Sequence, residues 1–406
     1  MKSTPYAHAH CPSKSTIIPP ITGTPMNMIT RLLFCAVLML GCDPAFAAGK
    51  YIAYVGTYTS GPGNSKGIYG LQVDGNGHYK SLGLEAEVAD PSFMTTDSNH
   101  RFLYVVTERG NPTGYLSSYA IDPATGALRF LNRVSANGRT TAHLTVDQTG
   151  HWLLVANYGS GSVASFALKS DGSIGEMADF HQHSGSSVNS KRQRGPHPHE
   201  AVMSPDNRFL FVPDLGLDKL FSYQLDTSTG KLTPNDPAFT AILPGFGPRH
   251  LIFGKSGKFA YLLGEMGSKV IALSYDAAHG KLTPIQTIAT IPADFKGENN
   301  SAELALDASG RFLYASNRGH DSVSLFSIDS RTGLLELIQI EPSGGQIPRS
   351  IAIDPSGRHL LAANQDSNQI AVFNRDQHSG RLNSDGEVLD VPSPVCILFV
   401  PLDGAH

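Results

Sequence analysis

Apolar and polar residues recur in the same order about every fifty residues along the chain. Each copy reads as a short apolar strand, a polar turn and a second strand that often carries aromatic residues, as in 301–314 (SAELALDASGRFLY). The copies lie at residues 91–106, 141–155, 199–212, 248–262, 301–314 and 348–361. Self-similarity at a fixed period is typical of stacked supersecondary units, so the pattern predicts a repeat architecture.

Two further strands follow each copy. Residues 218–234 (DKLFSYQLDTSTGKLTP), for example, alternate apolar and polar positions with period two and turn at Asp, Ser and Gly. Four strands at this spacing predict a propeller blade. Residues 51–59, 66–74 and 391–401 complete one more blade, in which the C-terminal strand lies innermost and closes the ring. We therefore expect an all-β, seven-bladed β-propeller with four antiparallel strands per blade.

The first 47 residues do not share the repeat. Residues 1–25 are polar and Pro-rich, and we interpret them as a non-native or disordered extension. Residues 26–47 have the pattern of a signal peptide, with an apolar run before an Ala-Phe-Ala cleavage motif that ends at Ala47. We expect the propeller to occupy 48–406 and the mature protein to be periplasmic or secreted. The apolar run is shorter than the ~20 residues of a membrane span, and lipidation at Cys42 is the alternative interpretation.

Composition narrows the function classes. The net charge of −4 and the lack of a long basic run argue against a nucleic-acid partner. Cleavage after Ala47 leaves Cys396 as the one cysteine, which excludes an intrachain disulfide or a thiolate metal cluster in the mature chain. Cys396 lies in an apolar strand and is expected to be buried. A closed ring leaves no edge strand to pair, so we expect a monomer.

The polar residues at strand ends predict a site at one mouth of the channel. In an up-and-down blade the start of the first strand and the end of the second share one rim, because the two strands are antiparallel. Polar groups that converge over an apolar channel are typical of a small-molecule site, and the rim arginines indicate an anionic ligand. His197 and His199 could together bind a metal, but no acid-rich loop completes that site, and we expect none. His181 and His183 lie in a polar segment and are expected to be solvated.

Seven runs of the chain, which together span essentially all of 51–401, resemble the seven-bladed β-propeller lactonase family. They are YVGTYTS (54–60), VANYGSGSV (155–163), RQRGPHPHE (192–200), FVPDLGLDK (211–219), GFGPRH (245–250), SNRGHDSV (316–323) and PRSIAIDPSGR (348–358). The family includes 6-phosphogluconolactonases and carboxy-muconate cyclases. The resemblance implies hydrolysis of an anionic sugar lactone, such as 6-phospho-D-glucono-1,5-lactone to 6-phosphogluconate, without a cofactor.

The resemblance also implies four catalytic residues, because the site proposed for the muconate branch falls by motif on His199, Arg249, Glu265 and Arg318, with His197 as the alternative to His199. Either Glu265 or His199 would act as general base toward water, and the two arginines would stabilise the oxyanion. From the rim positions we expect a second group to bind substrate: Tyr158, His197, Glu303, Asn317 and Arg349.

Two other functions stay open at this point. An exported chain would not meet a phosphorylated lactone made in the cytoplasm, and exported propellers often serve as binding scaffolds. A non-enzymatic binding protein is therefore one alternative, and a lactone-forming lyase of the muconate type is the other.

Overall fold

The chain folds into seven four-stranded antiparallel sheets, which are the blades of a propeller. The structure is a computed structural model that describes residues 51–61, 63–74, 77–109 and 113–403. The predicted extension, the signal peptide and Cys42 lie outside the described residues. Within these ranges the secondary structure is almost wholly strand, which confirms the predicted fold class.

Blade 1 contains β28, β1, β2 and β3, and each later blade takes the next four strands in chain order, from β4–β7 in blade 2 to β24–β27 in blade 7. The strands are β1 (Tyr51–Thr57), β2 (Gly67–Val73), β3 (Tyr79–Glu87), β4 (Met94–Thr96), β5 (Phe102–Thr107), β6 (Tyr115–Ile121), β7 (Leu128–Ser135), β8 (Thr141–Val146), β9 (Trp152–Asn157), β10 (Ser162–Leu168), β11 (Ile174–Gln182), β12 (Val202–Met203), β13 (Phe209–Asp214), β14 (Lys219–Leu225), β15 (Leu232–Ala241), β16 (Pro248–Phe253), β17 (Phe259–Gly264), β18 (Lys269–Asp276), β19 (Lys281–Ala289), β20 (Asn300–Leu306), β21 (Phe312–Arg318), β22 (Ser322–Ile328), β23 (Leu335–Pro342), β24 (Pro348–Ile353), β25 (His359–Asn364), β26 (Gln369–Arg375), β27 (Leu382–Asp390) and β28 (Pro394–Pro401).

The first and last described strands meet in blade 1. Strand β28 pairs antiparallel with β1, with Tyr51 opposite Pro401 and Val55 opposite Ile397. Strand β28 also contacts β24 and β4, the innermost strands of the flanking blades. The predicted closure by an innermost C-terminal strand is therefore confirmed.

The apolar core lies between neighbouring blades. Middle strands are buried on both faces, as in β13, whose six residues are all buried. Outer strands such as β11 expose most of their residues. In one interface Tyr104 and Val106 of blade 2 pack with Leu153 and Val155 of blade 3. Because each full burial of a large apolar side chain is worth about 1.5–3 kcal/mol, these interfaces hold the blades together.

The turn that recurs between the first two strands of the blades is stabilised, in several blades, by hydrogen bonds from backbone N–H groups to an Asp side chain. In blade 3 the Asp147 carboxylate accepts the backbone N–H groups of His151 and Trp152 at 3.0 and 2.9 Å. Gly150 supplies the left-handed residue of this turn, with φ 73°, a conformation that costs glycine little. The turn places Trp152 at the start of β9 and fixes the register of the first two strands.

A second recurrent contact joins each blade to the next. Gly230, in the outer turn of blade 4, has φ 73°, and a Cβ added there would lie 2.3 Å from the Trp152 ring of blade 3. Other blades repeat this packing of a turn glycine on an aromatic ring: Gly172 on Phe102, Gly280 on Phe209, Gly333 on Phe259 and Gly380 on Phe312. In these five blades the aromatic residue after the inner turn thus packs against a turn glycine of the next blade.

Two sequence expectations concern single segments. Cys396 is buried in β28, as expected, and burial raises the pKa of its thiol to about 12, which disfavours the reactive thiolate. In the part of the chain that the structure describes, no helix is both long and apolar enough to cross a membrane.

Candidate active site

One mouth of the central channel opens into a cavity of about 270 Å³. Its walls come from the starts of innermost strands, the ends of second strands and the connection between β11 and β12, as the rim argument predicts for most of them. The lining residues are Glu108, Arg109, Thr140, Ala142, Tyr158, Arg192, His199, Glu265, Asn300, Arg318 and Arg349. Four arginines against two glutamates leave a net positive cavity, which attracts an anionic ligand.

Glu265 is the point where the arginines converge. It follows the last residue of β17, and the residue is buried, with 5 % of its surface exposed. Arg192 Nη2 donates to Oε1 at 2.6 Å, while Arg249 Nε and Arg318 Nη2 lie 3.0 and 3.1 Å from Oε2. Burial alone would raise the pKa of Glu265, but the charges of Arg318, Arg249 and Arg192 outweigh it and lower the pKa to about 2.

Arg249 lies beneath the cavity rather than in its wall. Its side chain is 3 % exposed, against 39 % for Arg192. Besides Glu265, its Nη1 donates to His250 Nε2 at 3.0 Å and to the backbone oxygen of Ala302. Of the two arginines expected to stabilise an oxyanion, only Arg318 therefore reaches the cavity.

His199 stands in the cavity wall with an unpaired nitrogen. Its imidazole packs edge-on against Tyr158 and His250, with ring centroids 5.5 and 5.3 Å away. Nδ1 is buried and has no hydrogen-bond partner among the described residues. Burial, followed by the charge of Arg249, lowers the pKa of His199 well below its usual value. The ring is therefore neutral at neutral pH, and its Nδ1 keeps its hydrogen-bonding capacity unused within the described residues.

The backbone around His199 is held by the last two residues of β13. His199 N donates to Pro213 O at 2.9 Å, and Asp214 Oδ1 accepts the backbone N–H of His197 at 2.7 Å. The other oxygen of Asp214 binds His183 Nδ1 at 2.7 Å, and His183 Nε2 lies 2.8 Å from Tyr223 Oη.

The expectation that His183 is solvated is therefore wrong, because the ring is buried and paired through both nitrogens. Its sequence neighbour His181 is half-buried and lies 2.8 Å from the backbone oxygen of Leu232. The polar composition of this segment did not indicate either partner.

The opposite wall of the cavity is built around Tyr58. Tyr58 Oη donates to Glu108 Oε2 at 2.7 Å, and Arg349 Nη2 lies 3.3 Å from the same oxygen. The guanidinium of Arg109 lies 3.6 Å from the centre of the Tyr58 ring, and that of Arg349 lies 5.1 Å away. Arg109 forms no ion pair with any described residue, so its N–H donors are available to a ligand.

The predicted site residues divide into two groups. His199, Glu265, Arg318, Tyr158 and Arg349 line the cavity together.

The other four do not line it. Arg249 and Glu303 lie below the cavity, with Glu303 Oε1 2.6 Å from His250 Nδ1. His197 stacks on the Tyr158 ring at 4.4 Å, and Asn317 is buried and accepts the Ser301 hydroxyl at 2.8 Å. Because successive residues of a strand point to opposite faces, a rim position by itself did not separate these two groups.

Sequence reasoning missed two cavity arginines. Arg192 lies in the connection between β11 and β12, outside the repeat, and Arg109 lies one residue beyond the expected strand end. The available signal for Arg192 was its place in RQRGPHPHE, seven residues before His199. His197 and His199 do not form a metal site with a third ligand, since the described residues contain no group of three or more His, Cys, Asp or Glu side chains placed to hold an ion.

Comparisons with known proteins agree with this architecture. The family described as "Lactonase, 7-bladed beta-propeller" matches residues 52–399. A Bacillus subtilis protein named 6-phosphogluconolactonase is 35 % identical over 354 residues, which cover 86 % of this chain and 99 % of that protein.

Two solved structures are similar over their whole length. A Pseudomonas aeruginosa protein described as a periplasmic gluconolactonase has a TM-score of 0.82 at 37 % identity, covering 86 % of this chain and 99 % of that one. A putative 6-phosphogluconolactonase from Bacteroides fragilis has a TM-score of 0.82 at 36 % identity, covering 88 % and 100 %. The chain therefore belongs to the seven-bladed β-propeller lactonase family.

Proposed function

We propose that the cavity hydrolyses an anionic sugar lactone, with 6-phospho-D-glucono-1,5-lactone as the first substrate to test. The observation that carries the proposal is the neutral His199 ring, which lines the cavity together with four arginines and whose buried Nδ1 has no hydrogen-bond partner among the described residues. Ester hydrolysis needs a base for water and a fixed positive charge for the oxyanion, and this wall offers both. Family membership supports the same chemistry.

In the proposed mechanism His199 takes a proton from water as the water oxygen attacks the lactone carbonyl. Arg318 and Arg192 stabilise the negative charge that develops on the carbonyl oxygen, since both guanidiniums line the cavity. The bond between the carbonyl carbon and the ring oxygen then breaks, and His199 returns its proton to the alkoxide. The product is a hydroxy acid, which ionises in solution.

Glu265 is the weaker candidate for the base. Its oxygens already accept hydrogen bonds from Arg192 and Arg249 and form an ion pair with Arg318, and a carboxylate with a pKa of about 2 takes up a proton poorly near pH 7. We assign it the role of holding the arginines at the cavity wall. Arg249, which lies beneath Glu265, supports that arrangement from below.

The anionic group of the substrate would bind at the Tyr58 wall. Arg109 has no carboxylate partner there, and Arg349 shares its partner Glu108 with the Tyr58 hydroxyl. Bidentate N–H donation to a phosphate suits such guanidiniums. The solved relative described as a periplasmic gluconolactonase favours a second candidate, the unphosphorylated lactone.

Export to the periplasm remains part of the proposal and is supported by the signal-peptide pattern of residues 26–47 and by that periplasmic relative. A monomer is also proposed, and the elution volume of the purified chain on size exclusion would test it.

The test uses the chain from residue 48 and follows proton release from both lactones against the spontaneous rate. We expect acceleration by the wild type, a loss of about 100-fold or more in H199Q, and no change in the control H151Q, which alters an exposed histidine in the turn before β9. Acceleration of neither lactone would overturn the proposed function, and full activity of H199Q would overturn the assignment of the base.

A further inference from the structure

Four ionisable residues form a ring just below the cavity. On the innermost segments of blades 3 to 6 they are His143, Glu200, His250 and Glu303, which directly follow Ala142, His199, Arg249 and Ala302 in the sequence. We call them the channel ring. His143, Glu200 and His250 are buried, and the side chain of Glu303 is 17 % exposed. Buried ionisable groups are costly unless they are paired, so each member needs a partner.

The ring contains two His–Glu pairs that differ in their contacts. His250 Nδ1 lies 2.6 Å from Glu303 Oε1, whereas His143 Nε2 lies 3.6 Å from Glu200 Oε1. The His143–Glu200 pair is anchored by backbone, since Ala201 N donates to His143 Nδ1 and Leu251 N donates to Glu200 Oε2. The His250–Glu303 pair is instead connected to the cavity residue Glu265 through Arg249.

A chain of hydrogen bonds connects Glu303 with Glu265. Glu303 Oε1 accepts from His250 Nδ1, and His250 Nε2 accepts from Arg249 Nη1 at 3.0 Å. Arg249 Nε then donates to Glu265 Oε2 at 3.0 Å. Each link is within ordinary hydrogen-bond distance.

Arg249 determines the direction of donation in this series of hydrogen bonds. A guanidinium can only donate, so His250 Nε2 must be the acceptor and the proton of the neutral ring must reside on Nδ1. Glu303 favours that tautomer, because its carboxylate accepts the Nδ1 proton. Without Glu303 the proton could move to Nε2, which would oppose the Arg249 N–H group and break the link.

We propose that Glu303 and His250 are positioning residues that fix the orientation of Arg249 and, through it, the carboxylate of Glu265 that holds Arg192 and Arg318 at the cavity wall. Neither residue touches the cavity, and their contribution is the geometry of groups that do. A displacement of about 1 Å in such groups can cost on the order of 100-fold in rate. The kinetic part of this inference rests on the proposed lactonase activity, while the structural part does not.

The structural test compares crystal structures of the wild type, E303L, H250F and E303Q. Leucine removes the acceptor at nearly the same volume, and phenylalanine keeps the ring but removes both nitrogens. Glutamine keeps an oxygen that can accept the Nδ1 proton. We expect Arg249 to lose its 3.0 Å contact with Glu265 in E303L and H250F and to keep it in E303Q. An unchanged contact in both E303L and H250F would overturn the proposal, whether or not the wild type hydrolyses a lactone.

The kinetic test measures kcat and KM on 6-phosphogluconolactone for the same variants. We expect kcat per folded molecule to fall about 10-fold or more in E303L and H250F, with a smaller change in KM, because the anion-binding wall at Tyr58 is untouched. E303Q should recover most of the rate. E200Q is the matched control, since Glu200 has the equivalent position in blade 4 and its hydrogen-bond and ion-pair partners are Leu251 N and His143 rather than Arg249, and its rate should match the wild type.

A residue with only a structural role would lower the melting temperature and leave kcat per folded molecule unchanged, and that result would overturn the proposal. A rate loss in E200Q as large as in E303L would overturn it as well, because the effect would then belong to burial of any ring residue. An inactive wild type would instead refute the proposed function and leave the crystal structures to decide the positioning role.

Discussion

Replacement of Glu265 by glutamine should measure how much the interaction of its carboxylate with Arg192, Arg249 and Arg318 contributes to the free energy of unfolding. The pKa of Glu265 falls from 4.5 to about 2 on folding. One pKa unit corresponds to about 1.4 kcal/mol, so the folded chain favours the ionised carboxylate by roughly 3 kcal/mol. The E265Q chain keeps the size of the side chain but loses its charge and leaves the buried guanidinium of Arg249 without a counter-ion. We therefore expect its free energy of unfolding at pH 7 to be lower by about 3 kcal/mol.

The same difference should depend on pH. Because the folded pKa lies below the unfolded value, the stabilisation by Glu265 is complete above about pH 4.5 and is lost as the pH falls toward 2. The stability gap between wild type and E265Q should thus shrink to roughly 1 kcal/mol at pH 3.

The assay is urea denaturation followed by the fluorescence of Trp152, at pH 7 and at the lowest pH where both chains remain folded. E176Q serves as control, because Glu176 is exposed on outer strand β11, and its stability should equal that of the wild type. An E265Q chain as stable as the wild type at pH 7, or a gap that does not change with pH, would refute the electrostatic account of this cluster.

Three further predictions test other parts of the molecule. R109A should raise KM for the phosphorylated lactone by about 10-fold or more and change KM for the unphosphorylated one little, since the lost guanidinium would have met the phosphate; equal effects in steady-state assays would contradict this. Because burial and the neighbouring arginines hold the pKa of His199 well below 6.5, kcat/KM corrected for spontaneous hydrolysis should stay level from about pH 8 to about pH 6, whereas a decline centred at 6.5 would show an ordinary histidine. G230A should destabilise the fold by about 2–4 kcal/mol in urea denaturation, because its Cβ would meet the Trp152 ring in a left-handed backbone conformation, and G83A is the control for a left-handed glycine with open space around it.

The fold was predictable because its signals are local and repeated. The alternation within 218–234 and the recurrent turns predict the strands, and the unmatched strands at 51–59 and 391–401 predict the closure. These signals depend on period and turn chemistry, which do not require knowledge of distant contacts.

The site was predictable only in part, because a shift of one residue along a strand decides whether a side chain lines the cavity or lies below it. The rim argument selected Arg318 and Arg349, which line the cavity, but also Arg249 and Asn317, which do not. Strand bulges shift the register where the innermost strands begin, as between Pro248 and His250, and the sequence carries no mark of such a shift.

The remaining misses come from outside the repeat. Arg192 reaches Glu265 from a connection of irregular structure, and no periodicity reports where such a segment leads. His183 was judged by its polar neighbours, while its partners Asp214 and Tyr223 lie more than thirty residues away. Contacts of this kind are tertiary and are not encoded in local composition.

The pairing of β28 with β1 means that one strand of eight residues closes the ring of blades. Every other pair of described strands joins neighbours in the sequence. The β28–β1 pair instead brings together segments about 340 residues apart, at a loop-closure cost of roughly 5 kcal/mol if the intervening residues were flexible. Most of that cost disappears once the intervening blades have stacked, because they already hold the two strands close together. The β28–β1 pair should therefore form last during folding and separate first during unfolding. A chain that stops before Pro394 would leave β1 as a bare edge in the centre of the ring, ready to accept a strand from another molecule.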